Sequence, residues 1–397
     1  MAEIWFWQTV VTPHMAALAG ACAAAGHRVT YVAQVAMTED RLRQGWSVPE
    51  IAGVDVRLAG NPAQMRRVAA EAPQAAHHLL QGVRGNDLLA VAQRLLRRRG
   101  VRQWVVMEAV ADAGWRGRVR RALYRALFMR WRAHLQGVLA IGAHTPAWVV
   151  ARGMPADRVF SFAYFLASGA TGENAGAGAR SALGPDPANA QGDGRVRILY
   201  AGRLVSLKRV DLLIDALASL KRAGTDAFHL EVVGDGPCAS LLREQAAEAL
   251  GDRVTWIGSL PMEAVRRRMA GADCLVLPSD YDGWGAVVSE ALMAGTPVIC
   301  SDACGAAMAV RASGVGGVFP AGDRVTLASL LAQRIAQGRQ TPASRGMLAT
   351  WARCLGAEAG ADYLERILAY AKGGAPRPRA PWQPREGEVP EARACVV

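Results

Sequence analysis

The sequence predicts an α/β protein made of two domains, each built on a parallel β-sheet. The chain has 397 residues, too many for one ordinary core, and 51% of them are hydrophobic. Its first residues follow a strand–helix–strand pattern, and a second pattern of the same kind starts near residue 197. Between them, the segment 166–194 is rich in Gly, Ala, Pro and Ser and has no hydrophobic period. We therefore predict a first domain over 1–165, a linker over 166–194 and a second domain over 195–372.

The first domain opens with strand and helix signals in alternation. A strand is predicted at Ile4–Trp7, a helix over 13–25 that Gly26 ends, and a second strand at His27–Ala33. Further strands are predicted at Val54–Leu58, Gln103–Met107 and Gly137–Ile141, with helical patterns between them. Parallel strands joined by crossover helices follow from this order.

The second domain repeats the pattern from Arg197 onward. Strands are predicted at Arg197–Ala201, Phe228–Gly234, Val254–Ile257, Asp273–Leu277 and Pro297–Cys300, with helices at Asp211–Ala223, Met262–Ala270 and Thr350–Lys372. The Pro- and Arg-rich tail over 373–397 is expected to be disordered. Two Rossmann-like domains of this kind are expected to bind ligands in a cleft at the carboxyl ends of their strands.

Positive charge is concentrated in the first half of the chain. The formal net charge is +12, and residues 1–165 carry 21 arginines, no lysine and 10 acidic residues. This excess of basic residues predicts an anionic partner for the first domain. A nucleic acid, a membrane surface and a phosphate-bearing acceptor are all compatible with the charge, but the sequence contains no nucleic-acid recognition motif.

The cysteines and the N-terminus point to a reducing compartment. Seven cysteines are scattered without a C-x-x-C pair, so neither a disulfide framework nor a zinc site is predicted. The apolar residues 1–11 lack a basic leader and a cleavage site, and are interpreted as a strand. With no long uncharged apolar stretch, a cytoplasmic protein is expected.

The basic segment 114–134 is predicted to be a cationic amphipathic helix. Leu123, Leu127, Phe128, Trp131 and Leu135 can share one face, with arginines elsewhere. Such a helix suits an anionic lipid surface, which would make the protein peripheral on the inner face of the cytoplasmic membrane. The alternative is a helix that packs this stripe on the sheet and leaves solvated arginines outside.

Two cations follow the first strand of the second domain. Gly202 at the strand end lets a ligand approach the backbone, and Arg203 and Lys208 both lie close to the start of the next helix. Cations near a helix N-terminus can hold a diphosphate. Two solvated surface cations are the alternative interpretation of this segment.

The stretch from Asp282 to Glu290 carries the strongest functional signal. A predicted strand ends at Leu277, a Gly-containing turn follows, and a helix runs from about Gly285 to Ala294. Backbone N–H groups of the turn can face an anion at the helix start, and two carboxylates lie on either side of that turn. A capping Asp282 and a surface Glu290 are the alternative.

At these residues the sequence resembles glycosyltransferase family 4, which has the GT-B fold, a retaining mechanism and an E-x(7)-E motif. Here the motif reads D-G-W-G-A-V-V-S-E, followed by A-L-M-A-G-T-P-V-I. The stretches 199–208, 232–237, 254–258 and 272–279 also match in order and spacing. The resemblance covers about residues 196–320 and is weak over the first half.

The resemblance implies a role for each matching residue. Arg203 and Lys208 would bind the donor diphosphate and stabilise the departing nucleoside diphosphate without a metal ion or another cofactor. Although Asp280 and Asp282 spell the D-x-D of metal-dependent transferases, a metal site is therefore not expected. Gly234 would border the base of the nucleotide.

The motif itself would contact the sugar nucleotide. Glu290 would accept hydrogen bonds from the ribose, Asp282 would contact hydroxyl groups of the donor sugar, and the N–H groups of Gly283, Trp284 and Gly285 would touch the sugar or phosphate. Asp282 departs from the family pattern because it is one methylene shorter than the usual Glu.

The first domain departs further from the family pattern. Its first β-α turn, over 8–13, lacks the usual Gly-Gly, and the family's first-domain histidine has no clear match. His14, Glu108 and His144 are candidates for the acceptor side because each is close to the end of a predicted strand.

The predicted function is transfer of a hexose from a nucleotide-diphosphate sugar to a lipid-linked saccharide acceptor, in exopolysaccharide or lipopolysaccharide assembly. A catalytically weak scaffold that binds sugar nucleotides is an alternative, motivated by Asp282 and the missing Gly-Gly. Another GT-B enzyme, such as a sugar-nucleotide epimerase, is a third. A phosphorylase is disfavoured, because it would need a lysine for its pyridoxal cofactor and the chain has only three lysines.

Overall fold

The computed structural model describes residues 1–39, 48–84, 86–112, 114–167 and 194–383. These residues form two compact units, the first of which contains Met1–Ala167 together with Leu355–Pro381. Each unit is built on one parallel sheet with helices. The predicted fold class of two Rossmann-like halves is confirmed. Of the predicted linker, only its first two residues and its last lie among the described residues.

In the described part of the first unit, seven parallel strands form a sheet of order β3-β2-β1-β4-β5-β6-β7. They are β1 (Glu3–Val10), β2 (Arg28–Val35), β3 (Val54–Leu58), β4 (His77–Gln81), β5 (Gln103–Glu108), β6 (Leu135–Ile141) and β7 (Val159–Phe162). Strands β4 and β7 were not predicted, because both are short and include polar residues that weaken the apolar pattern. The apolar run of β1 reflects burial on both faces of a parallel sheet.

Helices connect these strands. They are α1 (Pro13–Ala24), α2 (Pro62–Glu71), α3 (Leu89–Arg98), α4 (Gly114–Trp131) and α5 (Thr145–Val150). Helix α1 begins where predicted because the hydroxyl of Thr12 accepts a hydrogen bond from the Met15 N–H and Pro13 occupies the first turn.

The second unit has a parallel sheet of order β10-β9-β8-β11-β12-β13. Its strands are β8 (Val196–Ala201), β9 (Phe228–Val233), β10 (Val254–Gly258), β11 (Cys274–Leu277), β12 (Val298–Ser301) and β13 (Gly317–Phe319). Its helices are α6 (Val210–Arg222), α7 (Ala239–Ala249), α8 (Met262–Gly271), α9 (Ala286–Met293), α10 (Ala307–Ser313), α11 (Arg324–Ala336) and α12 (Pro342–Trp351). All strands predicted here agree to within one or two residues, and only β13 was missed.

The C-terminal boundary of the second domain was predicted wrongly. The expected single helix Thr350–Lys372 is two helices: α12 ends at Trp351, and α13 (Ala357–Ala371) follows a short 3-10 turn. Helix α13 packs on α1 and belongs to the first unit. Gly360 fits against the Phe165 ring, and the hydroxyl of Tyr363 donates to the Ser161 carbonyl, 3.1 Å away.

The start of the predicted disordered tail is also ordered. Arg377 donates to the carbonyls of Ala156 and Val159 and lies over the Phe160 ring. Trp382 belongs to the second unit, where it is buried and contacts Trp284. The remaining tail, 384–397, lies outside the described residues.

No helix in the described ranges is both long and apolar enough to cross a membrane. Six of the seven cysteines lie in these ranges, and all six are free thiols.

Candidate active site

The residues predicted to bind the donor gather at one edge of the second sheet. Strands β9, β8 and β11 are neighbours in that sheet, and all three are parallel. Gly234 follows β9, Gly202 and Arg203 follow β8, and Asp282 lies in the turn after β11. The strand order reverses between β8 and β11, which is where ligands bind in open α/β sheets.

Two glycines bring the ends of β8 and β9 together. The N–H of Gly202 donates to the Val233 carbonyl, and a Cβ on Gly234 would lie 1.9 Å from the Gly202 carbonyl oxygen. Gly234 also has a φ of +130°, a conformation that side chains rarely tolerate. Any side chain at position 234 would therefore displace the backbone that begins the predicted diphosphate site.

The two predicted cations differ in their surroundings. Lys208 lies in the 3-10 turn Ser206–Lys208, and its Nζ is 2.5 Å from Oδ2 of Asp282. Both side chains of this pair are mostly buried, at 22% and 18% exposure. Arg203 is exposed, and within the described part of the chain its side chain has no ion pair or hydrogen bond. The site thus contains one cation held by a carboxylate and one free to bind an anion.

The turn after β11 presents unpaired backbone donors at the start of α9. Gly285 precedes the helix with a φ of +81°. The N–H groups of Gly283, Trp284 and Gly285 have no hydrogen-bond acceptor within the described residues. Unpaired N–H groups at a helix start favour a bound anion or hydroxyl group.

Trp284 contributes only its backbone to this turn. Its ring is 2% exposed, and its Nε1 donates to the Ser289 hydroxyl at 3.1 Å. The Trp284 side chain is therefore a core residue of the second unit.

Glu290 is the fifth residue of α9, which begins at Ala286 after the turn that contains Asp282. No side-chain hydrogen bond or ion pair of Glu290 is present in the described part of the structure. Burial raises the pKa of its carboxyl above the ordinary value of 4.5, and the positive charge of Arg266 partly opposes that rise. A largely desolvated carboxylate without a protein donor is suited to accept hydrogen bonds from ligand hydroxyl groups.

A second layer of contacts, which the sequence did not predict, braces this turn. The Asp282 N–H donates to the Ala303 carbonyl, the Gly305 N–H donates to the Asp282 carbonyl, and the Ala306 N–H donates to the Trp284 carbonyl. The thiol of Cys304 also lies 3.1 Å from the Trp284 carbonyl oxygen. Only the small residues of A-C-G-A in this loop could have signalled such a close approach.

Arg209 makes a further contact that was missed. It adopts a left-handed conformation with a φ of +50°, rare for a residue with a side chain, and its guanidinium binds both carboxylate oxygens of Asp280. It also binds Asp211. Each carboxylate of the D-x-D sequence thus has its own cation, since Asp280 pairs with Arg209 and Asp282 with Lys208. Across the described residues, no group of three or more His, Cys, Asp or Glu side chains could hold a metal ion.

The three acceptor-side candidates lie at the carboxyl edge of the first sheet. His14 is in the first turn of α1 and stacks on Tyr164, with ring centroids 5.2 Å apart. Glu108 is the last residue of β5, and His144 is exposed just before α5. The structure places all three at one sheet edge but assigns them no chemistry.

Residues 186–344 match the family model described as Glycosyl transferases group 1. The chain is 33% identical to an alpha-D-kanosaminyltransferase of Streptomyces kanamyceticus over 129 residues, 32% of this chain and 33% of that protein. It is 31% identical to the amylovoran biosynthesis glycosyltransferase AmsK of Erwinia amylovora over 150 residues, 36% of each chain. The alignments span about a third of the length of these curated relatives.

Solved structures share the fold across nearly the whole chain. The lipopolysaccharide outer core galactosyltransferase WaaB superposes with a TM-score of 0.63 at 15% identity, covering 93% of this chain and 99% of that one. Anabaena HepE in complex with UDP-glucose gives 0.62 at 18% identity, covering 93% and 100%.

The chain thus has the GT-B fold of these solved structures, with two Rossmann-like halves that are each built on a parallel sheet. The family match is more specific, because residues 186–344, most of which lie in the second unit, are similar to group 1 glycosyl transferases. The family resemblance inferred from the sequence is confirmed.

Proposed function

We propose that this protein is a retaining glycosyltransferase that moves a hexose from a nucleotide-diphosphate sugar to a saccharide acceptor. The observation that carries the proposal is the convergence of Arg203, Lys208 and the unpaired N–H groups after Asp282 at the edge of one sheet. These groups provide positive charge and hydrogen-bond donors where a diphosphate leaving group would develop negative charge. The family match over residues 186–344 supports the same assignment.

Two cations perform the electrostatic work in this proposal. Arg203 is free to bind a phosphate directly, while Lys208 exchanges part of its contact with Asp282 for a phosphate oxygen when the donor enters. The departing diphosphate is then stabilised by side chains and needs no metal ion. The pairing of both D-x-D carboxylates with protein cations favours this metal-independent route.

The carboxylates select the donor. In the proposal Glu290 accepts hydrogen bonds from the nucleotide ribose, and its lack of a side-chain partner among the residues that the structure describes supports that role. Asp282 is proposed to contact the donor sugar while its other oxygen keeps Lys208 in place. Among the solved structures of this fold, HepE has been crystallised with UDP and with UDP-glucose, which supports a sugar nucleotide as the ligand class.

The acceptor is proposed to be a lipid-linked saccharide at the cytoplasmic face of a membrane, in surface polysaccharide assembly. The support is that two similar proteins act in polysaccharide assembly, one in amylovoran biosynthesis and one on the lipopolysaccharide outer core. His14, Glu108 and His144 are proposed to lie on the acceptor side because they end strands of the first sheet.

The double variant Arg203→Ala/Lys208→Ala tests the donor site. It should abolish both transfer and donor hydrolysis, because each cation lost at a diphosphate removes a charge-assisted interaction. A matched control is Arg222→Ala/Arg324→Ala, which removes two exposed arginines of the same unit, at the end of α6 and at the start of α11, that do not belong to the proposed donor site. Circular dichroism and thermal unfolding check that both variants fold.

The leading alternative is a scaffold that binds sugar nucleotides without turning them over. It is favoured by the Lys208–Asp282 ion pair, in which a carboxylate already neutralises one of the two cations of the site. Turnover of any nucleotide sugar by the purified protein excludes that alternative. Full activity of the Arg203→Ala/Lys208→Ala variant would refute the donor-site assignment. Thermal-shift measurements with UDP, GDP, ADP and their sugars identify the nucleotide.

A further inference from the structure

Helix α4 presents two apolar faces, of which only one is packed. Its buried residues are Gly117, Tyr124, Phe128 and Trp131, and the three aromatic ones join a core cluster with residues of β5 and β6. At position 117 a Cβ would lie 1.7 Å from the Asp112 carbonyl oxygen, so the helix is pressed closely onto the preceding loop. This face corresponds to the apolar stripe predicted from the sequence, with two corrections: Leu123 is exposed on another face, and Leu135 begins β6 and is not part of the helix.

The opposite face of α4 is apolar and exposed. Trp115 is 68% exposed, Val119 62%, Leu123 44% and Met129 46%. At about 100° per residue, these four side chains and the exposed Ala122 and Ala126 cover roughly a third of the helix circumference. We call these six residues the outer stripe. Arg130, which is also exposed, lies within this arc in the last turn of the helix. Exposed large apolar side chains gathered on one helix face mark an interaction surface.

Arginines border the outer stripe on both sides. Arg116 and Arg120 follow one edge, and Arg118, Arg121 and Arg125 follow the other, at the same helical spacing. None of these five forms an ion pair with a carboxylate in the described structure, and α4 contains no acidic residue. The face therefore combines an apolar centre with unneutralised positive edges.

We propose that α4 lies in the interface of an anionic membrane, with the outer stripe among the acyl chains and the bordering arginines on lipid phosphates. Interfacial helices have this arrangement, since arginine stems can extend from an apolar surface to the headgroups. A protein partner would need acidic groups along both edges of an apolar groove, whereas an anionic bilayer supplies both layers by itself. The proposal depends on α4 alone and holds whether or not the proposed transferase activity does.

Vesicle binding by the purified full-length protein tests this surface. Wild type should bind vesicles of equimolar phosphatidylglycerol and phosphatidylcholine and bind phosphatidylcholine alone far more weakly. The variant Trp115→Ser/Val119→Ser/Leu123→Ser should reduce the partition coefficient on the order of a hundredfold, because three side chains no longer leave water. The matched control Leu241→Ser/Val325→Ser/Met347→Ser removes equally exposed residues from the second unit and should bind like wild type.

Charge is tested separately. Arg116→Gln/Arg118→Gln/Arg125→Gln should weaken binding to the anionic vesicles by about fivefold per arginine and reduce its salt dependence. Arg222→Gln/Arg324→Gln/Arg353→Gln removes the same charge from exposed positions of the second unit and should have little effect. Subtracting the emission spectrum of Trp115→Phe from that of wild type isolates the fluorescence of Trp115. This emission should shift to the blue when anionic vesicles are added, because the ring leaves water.

Three outcomes would overturn the proposal. One is wild-type binding that the serine variant leaves unchanged, and another is equal binding to both kinds of vesicle. The third is an absence of vesicle binding combined with self-association that the serine variant abolishes, which would assign the outer stripe to a second copy of the chain. Unchanged thermal unfolding of each variant shows that the loss is not one of folding.

Discussion

At the scale of single residues, the Asp at position 282 changes how the site is held together. Its carboxylate lies 2.5 Å from the Lys208 ammonium, and both are mostly buried. A partly buried ion pair fixes the position of the lysine more firmly than solvent would. The shorter side chain therefore supports the cation before the donor arrives, in addition to any contact with the sugar.

Glu290 should show a conflict between stability and ligand binding. Because burial raises the pKa of its carboxyl, the folded state favours the protonated form, and ionisation above that pKa costs stability. The contribution of Glu290 to the free energy of unfolding is thus greatest below the ordinary pKa of 4.5, and it is lost as the pH rises through the higher folded pKa. We expect Glu290→Gln to be more stable than wild type at neutral pH and to lose that advantage toward pH 4.

The same substitution should weaken nucleotide binding about tenfold, since a neutral amide replaces a charged acceptor. Urea unfolding across pH measures stability, and calorimetry with the nucleotide identified by thermal shift measures affinity. Glu248→Gln, at an exposed position of α7, is the control and should change neither. A Glu290→Gln protein less stable than wild type at neutral pH would contradict the argument.

At the scale of elements, the donor turn depends on the loop that follows β12. Residues 303–306 accept from or donate to the backbone of Asp282 and Trp284, and the two segments approach so closely that only glycine fits at 305. A rigid supporting loop keeps the N–H groups of a binding turn pointing in one direction. Neither segment is predicted from the other, because they are about 20 residues apart in the sequence.

Gly305→Ala should damage the donor turn selectively. The new Cβ would lie 1.9 Å from the Gly283 carbonyl oxygen, so the turn has to move. We expect about 2 kcal/mol of lost stability, typical of overpacking, together with a larger loss of nucleotide affinity. Gly346→Ala is the control, because a Cβ there meets nothing within 4 Å and lies in helix α12. Nucleotide affinity equal to wild type in Gly305→Ala would show that the loop does not support the site.

At the scale of the whole molecule, the first unit is assembled from both ends of the chain. Helix α13 and the segment through Pro381 complete it, although they follow the second unit in the sequence. Tyr363 and Arg377 both donate to carbonyls of the β7 region. Residues 1–167 therefore lack part of their own core when they are considered alone.

Gly360→Leu should destabilise the first unit and spare the second. A Cβ at position 360 would already lie 2.4 Å from Cγ of Phe165, and larger side chains in a packed core cost about 1–3 kcal/mol. Hydrogen–deuterium exchange read by mass spectrometry should rise in α1 and α13 and stay constant in β8–β13. Gly374→Leu, where a Cβ meets nothing within 4 Å, should exchange like wild type. Faster exchange throughout both units would argue against two separately stabilised units.

Most elements of the two sheets could be predicted from the sequence, because strand and helix patterns are short-range. The apolar run of β1 and the periodic Leu212–Leu220 face of α6 each signal their structure within a dozen residues. The donor turn was predictable for the same reason, since Gly283, Gly285 and Glu290 follow one another at fixed spacing. Short strands with polar residues, such as β4, have too few consecutive apolar residues to be predicted as strands.

Tertiary structure alone decided what each side chain contacts. The sequence did not indicate where the Trp284 side chain lies, it placed α13 in the wrong unit, and it assigned Leu123 to the same face as Phe128 and Trp131. Each of these depends on which distant segment lies opposite. It is Trp382 for Trp284, α1 for α13, and the core of β5 and β6 for the faces of α4. Local periodicity determines the type of an element, whereas burial of its faces is determined by neighbours that are remote along the chain.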